Sequence, residues 1–408
     1  MKKRIKKTVN LLREFSIPLI TGVILALIWA NLFPENYQNI LHHDILGGFT
    51  FQFLVNDIFM VFFFAIAAVE ITQSMLPGGD LHPLKQAVNP IMATLGGVIG
   101  PAIVFTLLNN LIGSPEFSRG WGIPTATDIA LAWLIARLIF GPYHPAVSFL
   151  LLLAIADDGI GLAIIAIFYP DPLHQLAPMW LALTLAGMLV AFYLRKKKVK
   201  NYWPYILISG TLSWLGLHLT HLHPALALVF VIPFLPHPSK EEAHLFEDDP
   251  KECSTLRNFE RDWKFFVDFG LFMFGLTNAG VGFSEISTVT WLVFFALLIG
   301  KTTGIFLFGS IANLLGFDLP KGMSHKELFV AGLVATMGLT VALFVAGVAF
   351  TDLNIQGAAK MGALFSSGAV VVSFAAAKFL RIQRITVDQK SQKKDLKLEF
   401  EGFEATHN

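Results

Sequence analysis

Two carboxylates stand side by side in the middle of an apolar run: Ile155-Ala156-Asp157-Asp158-Gly159-Ile160-Gly161. The run from 145 to 169 is long enough to cross a bilayer, which takes about 20 apolar residues. A charge at that depth costs at least about 2.5–3.5 kcal/mol on insertion scales. Folding does not call for such a pair, since a structural link needs one acid and two repel. Two carboxylates in contact cannot both ionise easily, so they titrate as one coupled unit. At low pH Asp157 and Asp158 hold protons. At higher pH they offer a hard, oxygen-rich site suited to a small cation. Protons and cation then compete for the same oxygens. If that site faces each side of a membrane in turn, competition alone is sufficient for exchange.

Two further charges fall inside apolar runs. Lys301 lies in Leu297-Leu298-Ile299-Gly300-Lys301-Thr302-Thr303-Gly304-Ile305, and Asp128 in Gly122-Ile123-Pro124-Thr125-Ala126-Thr127-Asp128-Ile129. A buried lysine needs a counter-charge or it loses its proton, and the aspartate pair is the obvious partner. Asp57, Glu70 and Asp268 are closer to the ends of their runs. The run holding Asp128 has a proline and small polar residues where apolar ones are expected. So does Ala335-Thr336-Met337-Gly338-Leu339-Thr340-Val341. Interrupted helices in corresponding positions of two halves point to a substrate site at the midplane. Broken helices aim positive N-terminal and negative C-terminal ends into the membrane. Asp128 can offset the former and Lys301 the latter.

The elements that must position these groups are membrane helices. The 408 residues are 54% hydrophobic and only 14% charged, against about 25% charged in soluble domains. The apolar residues cluster in long runs, and lipid requires backbone groups to be satisfied within the segment. The expected fold is an all-α polytopic membrane protein of about twelve transmembrane helices. They fall at roughly 15–33, 57–75, 87–108, 121–139, 145–169, 176–194, 203–218, 222–236, 264–283, 288–311, 326–350 and 356–380. The basic start (Lys2, Lys3, Arg4, Lys6, Lys7) and the run from Phe15 to Phe33 could suggest a signal peptide. There is no small-x-small cleavage site, and the run is of full span length, so it reads as the first helix.

Three regions follow: a basic N-terminus at 1–14, a transmembrane domain at 15–380, and a polar tail at 381–408. An even number of spans puts both ends on one side. That side collects the N-terminus, Lys85, Arg195-Lys196-Lys197-Lys198, the charged loop 237–263, Lys321, Lys326 and the tail, whereas the other offers Arg119, with Lys360 near a helix end. Basic residues concentrate on the cytoplasmic side, so both termini are expected there. The single cysteine, Cys253, excludes an internal disulfide and suggests no metal cluster. The 38 phenylalanines suit lipid-facing surfaces better than a cofactor box. No cofactor and no nucleic-acid partner are expected.

Taken in order, the motifs resemble the NhaA-type sodium/proton antiporters of bacteria. The resemblance runs from about residue 15 to 380. It is carried by Val55-Asn56-Asp57, Ala68-Val69-Glu70, the stretch Gly120 to Ala130, Ala156-Asp157-Asp158, Thr277-Asn278-Ala279-Gly280-Val281, Gly300-Lys301 and Gly338-Leu339-Thr340. That family is itself a standing example of inverted repeats with broken helices. An inverted-repeat transporter fold, with two broken helices crossing at the midplane, is therefore implied by the resemblance rather than found independently of it. The resemblance places the cation- and proton-binding pair, and so the ligands of the transported sodium, on Asp157 and Asp158. It places charge compensation on Asp128, preceded by Thr127, and an essential lysine on Lys301, paired with Asp157. It further implies electrogenic, pH-activated exchange of sodium or lithium for protons in the bacterial inner membrane, and often a homodimer. Glu70 and His223 match positions linked to pH response. The sequence departs from the pattern at Ser74, where a second acid usually follows Glu70, at Thr302 and Thr303 after Lys301, and at Asp268. These departures bear on the pH set point.

Two other readings compete. A sodium-coupled organic anion transporter would want a roomier polar cavity and fewer buried acids. An intramembrane aspartyl protease, an enzyme, also uses two membrane aspartates. It would carry Gly-x-Gly-Asp and Tyr-Asp stretches, which are absent, and it has no need of Lys301. A secondary active transporter, not an enzyme, is expected.

Overall fold

A computed structural model describes residues 17–46, 49–76, 84–171, 174–237 and 254–385. The basic N-terminus at 1–14, the side chain of Lys85, the acidic stretch 241–249, Cys253 and the tail from 386 lie outside the described residues. The chain is an all-α polytopic membrane protein. Among the described residues six helices are long and apolar enough to cross a membrane: Phe51–Met75, Ala87–Ile112, Pro145–Phe168, Pro178–Lys196, Thr288–Leu314 and Leu353–Phe379. Two shorter apolar helices are Ile17–Leu32 and Thr340–Ala349. Thr255–Asn278 is as long as a span but carries charge over its first half. A two-stranded ribbon pairs Asp44–Leu46 with Phe49–Thr50.

Both expected interruptions are breaks in the backbone. Pro115–Thr125 forms a tight 3-10 helix, residues 126–128 are extended, and Ile129–Phe140 continues as α-helix after a 55° bend. His325–Val334 and Thr340–Ala349 are likewise separated, with residues 337–339 non-helical. The run at 222–236 takes another form: short 3-10 turns at Pro224–Leu226 and Ile232–Phe234 joined by further turns. Pro224 and Pro233 lack the N–H that a continuous helix needs. The intervening Ala227, Leu228 and Val231 are buried in protein, where irregular backbone at membrane depth is tolerated.

Among the described residues the core consists of two apolar clusters. One gathers Phe64, Ile123, Leu162, Leu297 and Leu339 with the helices around them. The other gathers Ala132, Leu153, Ile305, Val334 and Met337. The segments 115–140, 145–168, 288–314 and 325–349 each pass from one cluster to the other. All four make that passage at the level of Asp128, Asp157 and Lys301. The charged groups therefore occupy the seam between two greasy blocks.

Leu84–Ile112 packs on Thr288–Leu314 through glycines spaced four apart on each helix, Gly96 and Gly100 against Gly300 and Gly304. A Cβ at Gly304 would run into the carbonyl oxygen of Gly96, and one at Gly96 into that of Gly304. Small residues at this spacing let two membrane helices touch backbone to backbone. The contact fixes the height of Lys301, one residue from Gly300. Gly304→Leu is expected to wedge the helices apart and cost about 1–3 kcal/mol by overpacking. It should appear as a lower melting temperature of the detergent-solubilised protein. An unchanged melt would mean that the contact is slack.

Candidate functional site

Lys301 closes a π-helical turn, Ala296–Lys301, inside the Thr288–Leu314 helix. Such turns shift the side-chain register and recur at functional sites. The lysine is 0% exposed. Its Nζ donates to Asp157 Oδ2 at 2.8 Å and to the carbonyl oxygen of Thr125. Thr125 ends the first half of a broken span, so its carbonyl is one of the helix-end acceptors without an intrahelical donor. One ammonium thus serves a carboxylate and a negative helix end together.

Asp128 holds the opposite ends. It caps Ile129–Phe140, accepting from the Leu131 N–H at 3.1 Å, and it accepts from Thr340 Oγ1 at 3.0 Å. Thr340 opens Thr340–Ala349. One carboxylate therefore sits at the N-termini of both second halves. The Asp128 N–H donates to the Met337 carbonyl at 2.7 Å, and Thr127 Oγ1 donates to the Ala335 carbonyl at 2.9 Å. These bonds lace the two extended stretches together. A Cβ at Gly338 would press on the Ala126 carbonyl oxygen at 2.6 Å, so the chains cross in contact where a side chain has no room.

Asp157 and Asp158 are adjacent on Pro145–Phe168 and point about 100° apart around the helix, as 3.6 residues per turn dictates. Asp157, 1% exposed, turns to Lys301, and Asp158, 9% exposed, lines a cavity of about 770 Å³. Oδ1 of Asp158 accepts no hydrogen bond from the described residues. A buried acceptor left open in this way marks a place for water or a ligand. The cavity also carries Asp128, Thr127, Thr340 and Glu70, and extends to Asp268, Lys264 and Arg261 towards the start of Thr255–Asn278.

A second cavity, about 310 Å³, opens at the other end of Phe51–Met75 and carries Asn56, Asp57 and His223. Between the two lies packed aromatic side chain. Phe64 and Phe344, both buried, meet edge to face at 5.1 Å, and the His223 ring lies 4.7 Å from Phe344.

The structure thus brings Asp157, Asp158, Asp128, Thr127 and Lys301 together, puts Glu70 in the cavity of Asp158, and puts His223 in the other. Ser74 is buried, its hydroxyl donating to the Glu70 carbonyl at 2.8 Å. An acid of the facing helix reaches the residue beside Ser74: Glu260 accepts from Gln73 Nε2 at 2.9 Å and pairs with Lys264 at 4.0 Å. Glu260 and Lys264, four apart on one helical face, were the available signal. The sequence also missed Thr340 as a partner of Asp128 and the Thr125 carbonyl as a partner of Lys301. Lys360, expected near a helix end, is buried within Leu353–Phe365 and has Glu285 as its charged neighbour.

The sequence model of the family described as Na+/H+ antiporter 1 matches residues 7–379. The chain belongs to that family. The Na+/H+ antiporter NhaA of Desulfitobacterium hafniense (strain DSM 10664 / DCB-2) is 69% identical over 380 residues, covering 93% of this chain and 98% of that relative. The NhaA of Geobacter sulfurreducens is 64% identical over 380 residues, covering 93% of this chain and 100% of that relative. The NhaA of a Jannaschia species is 42% identical over 423 residues, covering 92% of this chain and 98% of that relative. Membership of the Na+/H+ antiporter 1 family thus extends over both broken spans, the aspartate pair and Lys301.

Proposed function

We propose that this member of the family exchanges sodium or lithium for protons across the bacterial inner membrane, electrogenically, with both termini in the cytoplasm. The observation that carries the reading is the division of labour within the aspartate pair. Asp158 faces the cavity with an open oxygen, and Asp157 behind it is held by Lys301 at 2.8 Å. A cation entering the cavity meets Asp158 first. To gain a second carboxylate it draws Asp157 from Lys301, which then gives up its proton and, as a neutral amine, keeps its bond to the Thr125 carbonyl. When the cation leaves, Asp158 and Lys301 each take a proton and Asp157 returns to the lysine, so two protons replace one cation. Cation and protons never share the site, so each crossing carries one or the other. The aromatic barrier of Phe64 and Phe344 keeps the second cavity apart while the first is open.

Asp128 and Thr127 steady the crossing, since an acid at two helix N-termini offsets their positive ends. Glu70 and Lys264, in the wall of the cavity, with Glu260 paired to Lys264 behind it, are suited to adjust the field a cation meets there. A part for His223 in pH response would run through the second cavity, because its ring packs on Phe344. The protein acts within the bilayer, without a cofactor, and a homodimer fits the family. The test is addition of Na+ or Li+ to everted vesicles that hold a proton gradient, followed by a fluorescent pH indicator. Exchange collapses the gradient on adding either cation between about pH 6 and 9, the range in which perturbed carboxylates and histidines titrate. A gradient that survives both cations over that range would overturn the reading.

A further inference from the structure

We propose that Asp171, His174 and His221 form a binding site for a divalent transition-metal ion of the zinc type, remote from the ion-exchange centre. Asp171 and His174 lie in the connection between Pro145–Phe168 and Pro178–Lys196. His221 follows Thr211–Thr220 as its C-terminal cap. One ligand atom from each of the three lies within 4.8 Å of the other two. His174 Nδ1 and Asp171 Oδ2 are 2.7 Å apart, and the His174 and His221 rings stack with centroids 4.7 Å apart and planes 10° from parallel.

Two imidazoles and a carboxylate form the ligand set of many three-residue zinc sites, with water in the fourth position. Imidazole also suits nickel and copper, so the donor set specifies a class of ion rather than one element. Metal–ligand bonds of about 2.0–2.2 Å set donor atoms about 3.4 Å apart, so the 2.7 Å contact of His174 with Asp171 must open as the wider spacings close. The exposed His174 ring can make that move, while the half-buried Asp171 and His221 stay fixed.

The backbone already holds the two segments in register. The Asp171 N–H donates to the His221 carbonyl at 2.9 Å, and the Ala177 N–H to the Thr220 carbonyl at 3.4 Å. His221 itself sits in left-handed backbone at φ 65°, a conformation in which histidine is uncommon though not excluded. Nothing in the exchange chemistry uses these three side chains. Pro178–Lys196 carries Arg195 and Lys196 at its other end, so the site lies on the face opposite that basic cluster. Short-range spacing in the sequence hides the site, because His221 is some fifty residues from its partners and only the turn brings it back.

The test uses the full-length protein in detergent, without a polyhistidine tag, stripped with chelator and titrated with zinc alone by calorimetry. Wild type is expected to bind one equivalent in the micromolar range or tighter, with a rise in melting temperature. Binding should weaken at least tenfold from pH 7.5 to 5.5, since protons compete with metal for imidazole. Cobalt in place of zinc should give the visible absorption of a low-coordinate site. His174→Ala and His221→Ala are each expected to lose that equivalent while melting as wild type does in chelator, which the backbone bonds allow. His218→Ala, an exposed histidine one turn before His221, is the control and should bind as wild type. No binding by wild type, or equal loss in the His218→Ala control, would overturn the proposal.

Discussion

Asp158→Asn is expected to lower sodium-driven proton movement in everted vesicles by at least about 100-fold, the scale on which losing a positioned proton carrier acts. Asparagine keeps the shape of the side chain and one carbonyl oxygen. It gives up the negative charge that attracts a cation and the oxygen that takes a proton. Because Asp158 lines the cavity and has no basic partner in hydrogen-bond reach among the described residues, the substitution removes no ion pair, and membrane insertion is expected to be normal. Asp157→Asn should abolish exchange as well, by a second route. It leaves the fully buried Lys301 without its carboxylate as well as removing a ligand. The two variants should therefore share a transport defect and differ in stability, with Asp157→Asn the weaker fold. Immunoblots of membrane fractions separate loss of transport from loss of protein. Near-normal exchange by either variant would move the cation site away from the pair.

Lys301→Ala tests the other half of the centre. The lysine is 0% exposed and makes two bonds, to Asp157 and to the Thr125 carbonyl. Removing one partner of a buried pair costs about 3–5 kcal/mol, because the remaining charge is left uncompensated. The variant is expected to melt well below wild type at alkaline pH, where Asp157 is charged. At acid pH a proton can neutralise Asp157 in place of the ammonium, so the deficit should shrink as pH falls. The same substitution should change the pH profile of exchange, since Asp157 would no longer return to a lysine between cycles. Melting curves at several pH values and exchange rates at the same values check both expectations. If stability and pH profile both matched wild type, the pairing would have no part in the cycle.

The membership of the buried charged cluster was largely legible in the sequence, because charge in an apolar run is expensive wherever the chain goes. Asp128, Asp157, Asp158 and Lys301 declare themselves by that cost alone. The all-helical membrane fold follows from the same physics, since lipid leaves backbone groups no other partners. The two breaks were also visible, because proline, glycine and threonine replace apolar residues there. What the sequence left open concerns direction and distance. It did not say which of two adjacent acids faces the cavity; the rotation of Pro145–Phe168 against its neighbours decides that. Thr340 and the Thr125 carbonyl carry no signal of their own, being an ordinary hydroxyl and an ordinary backbone oxygen. They become partners of Asp128 and Lys301 only because the breaks cross. Glu260 reaches Gln73, next to position 74, through the packing of two helices whose sequences lie some two hundred residues apart. The run at 222–236 had the composition of a span, yet Pro224 and Pro233 and a buried setting made it a series of turns. Composition and cost of charge, which are properties of the chain, determined the fold class and the candidate residues. Facing, crossing and cavity access depend on long-range packing, and only the tertiary structure decided them.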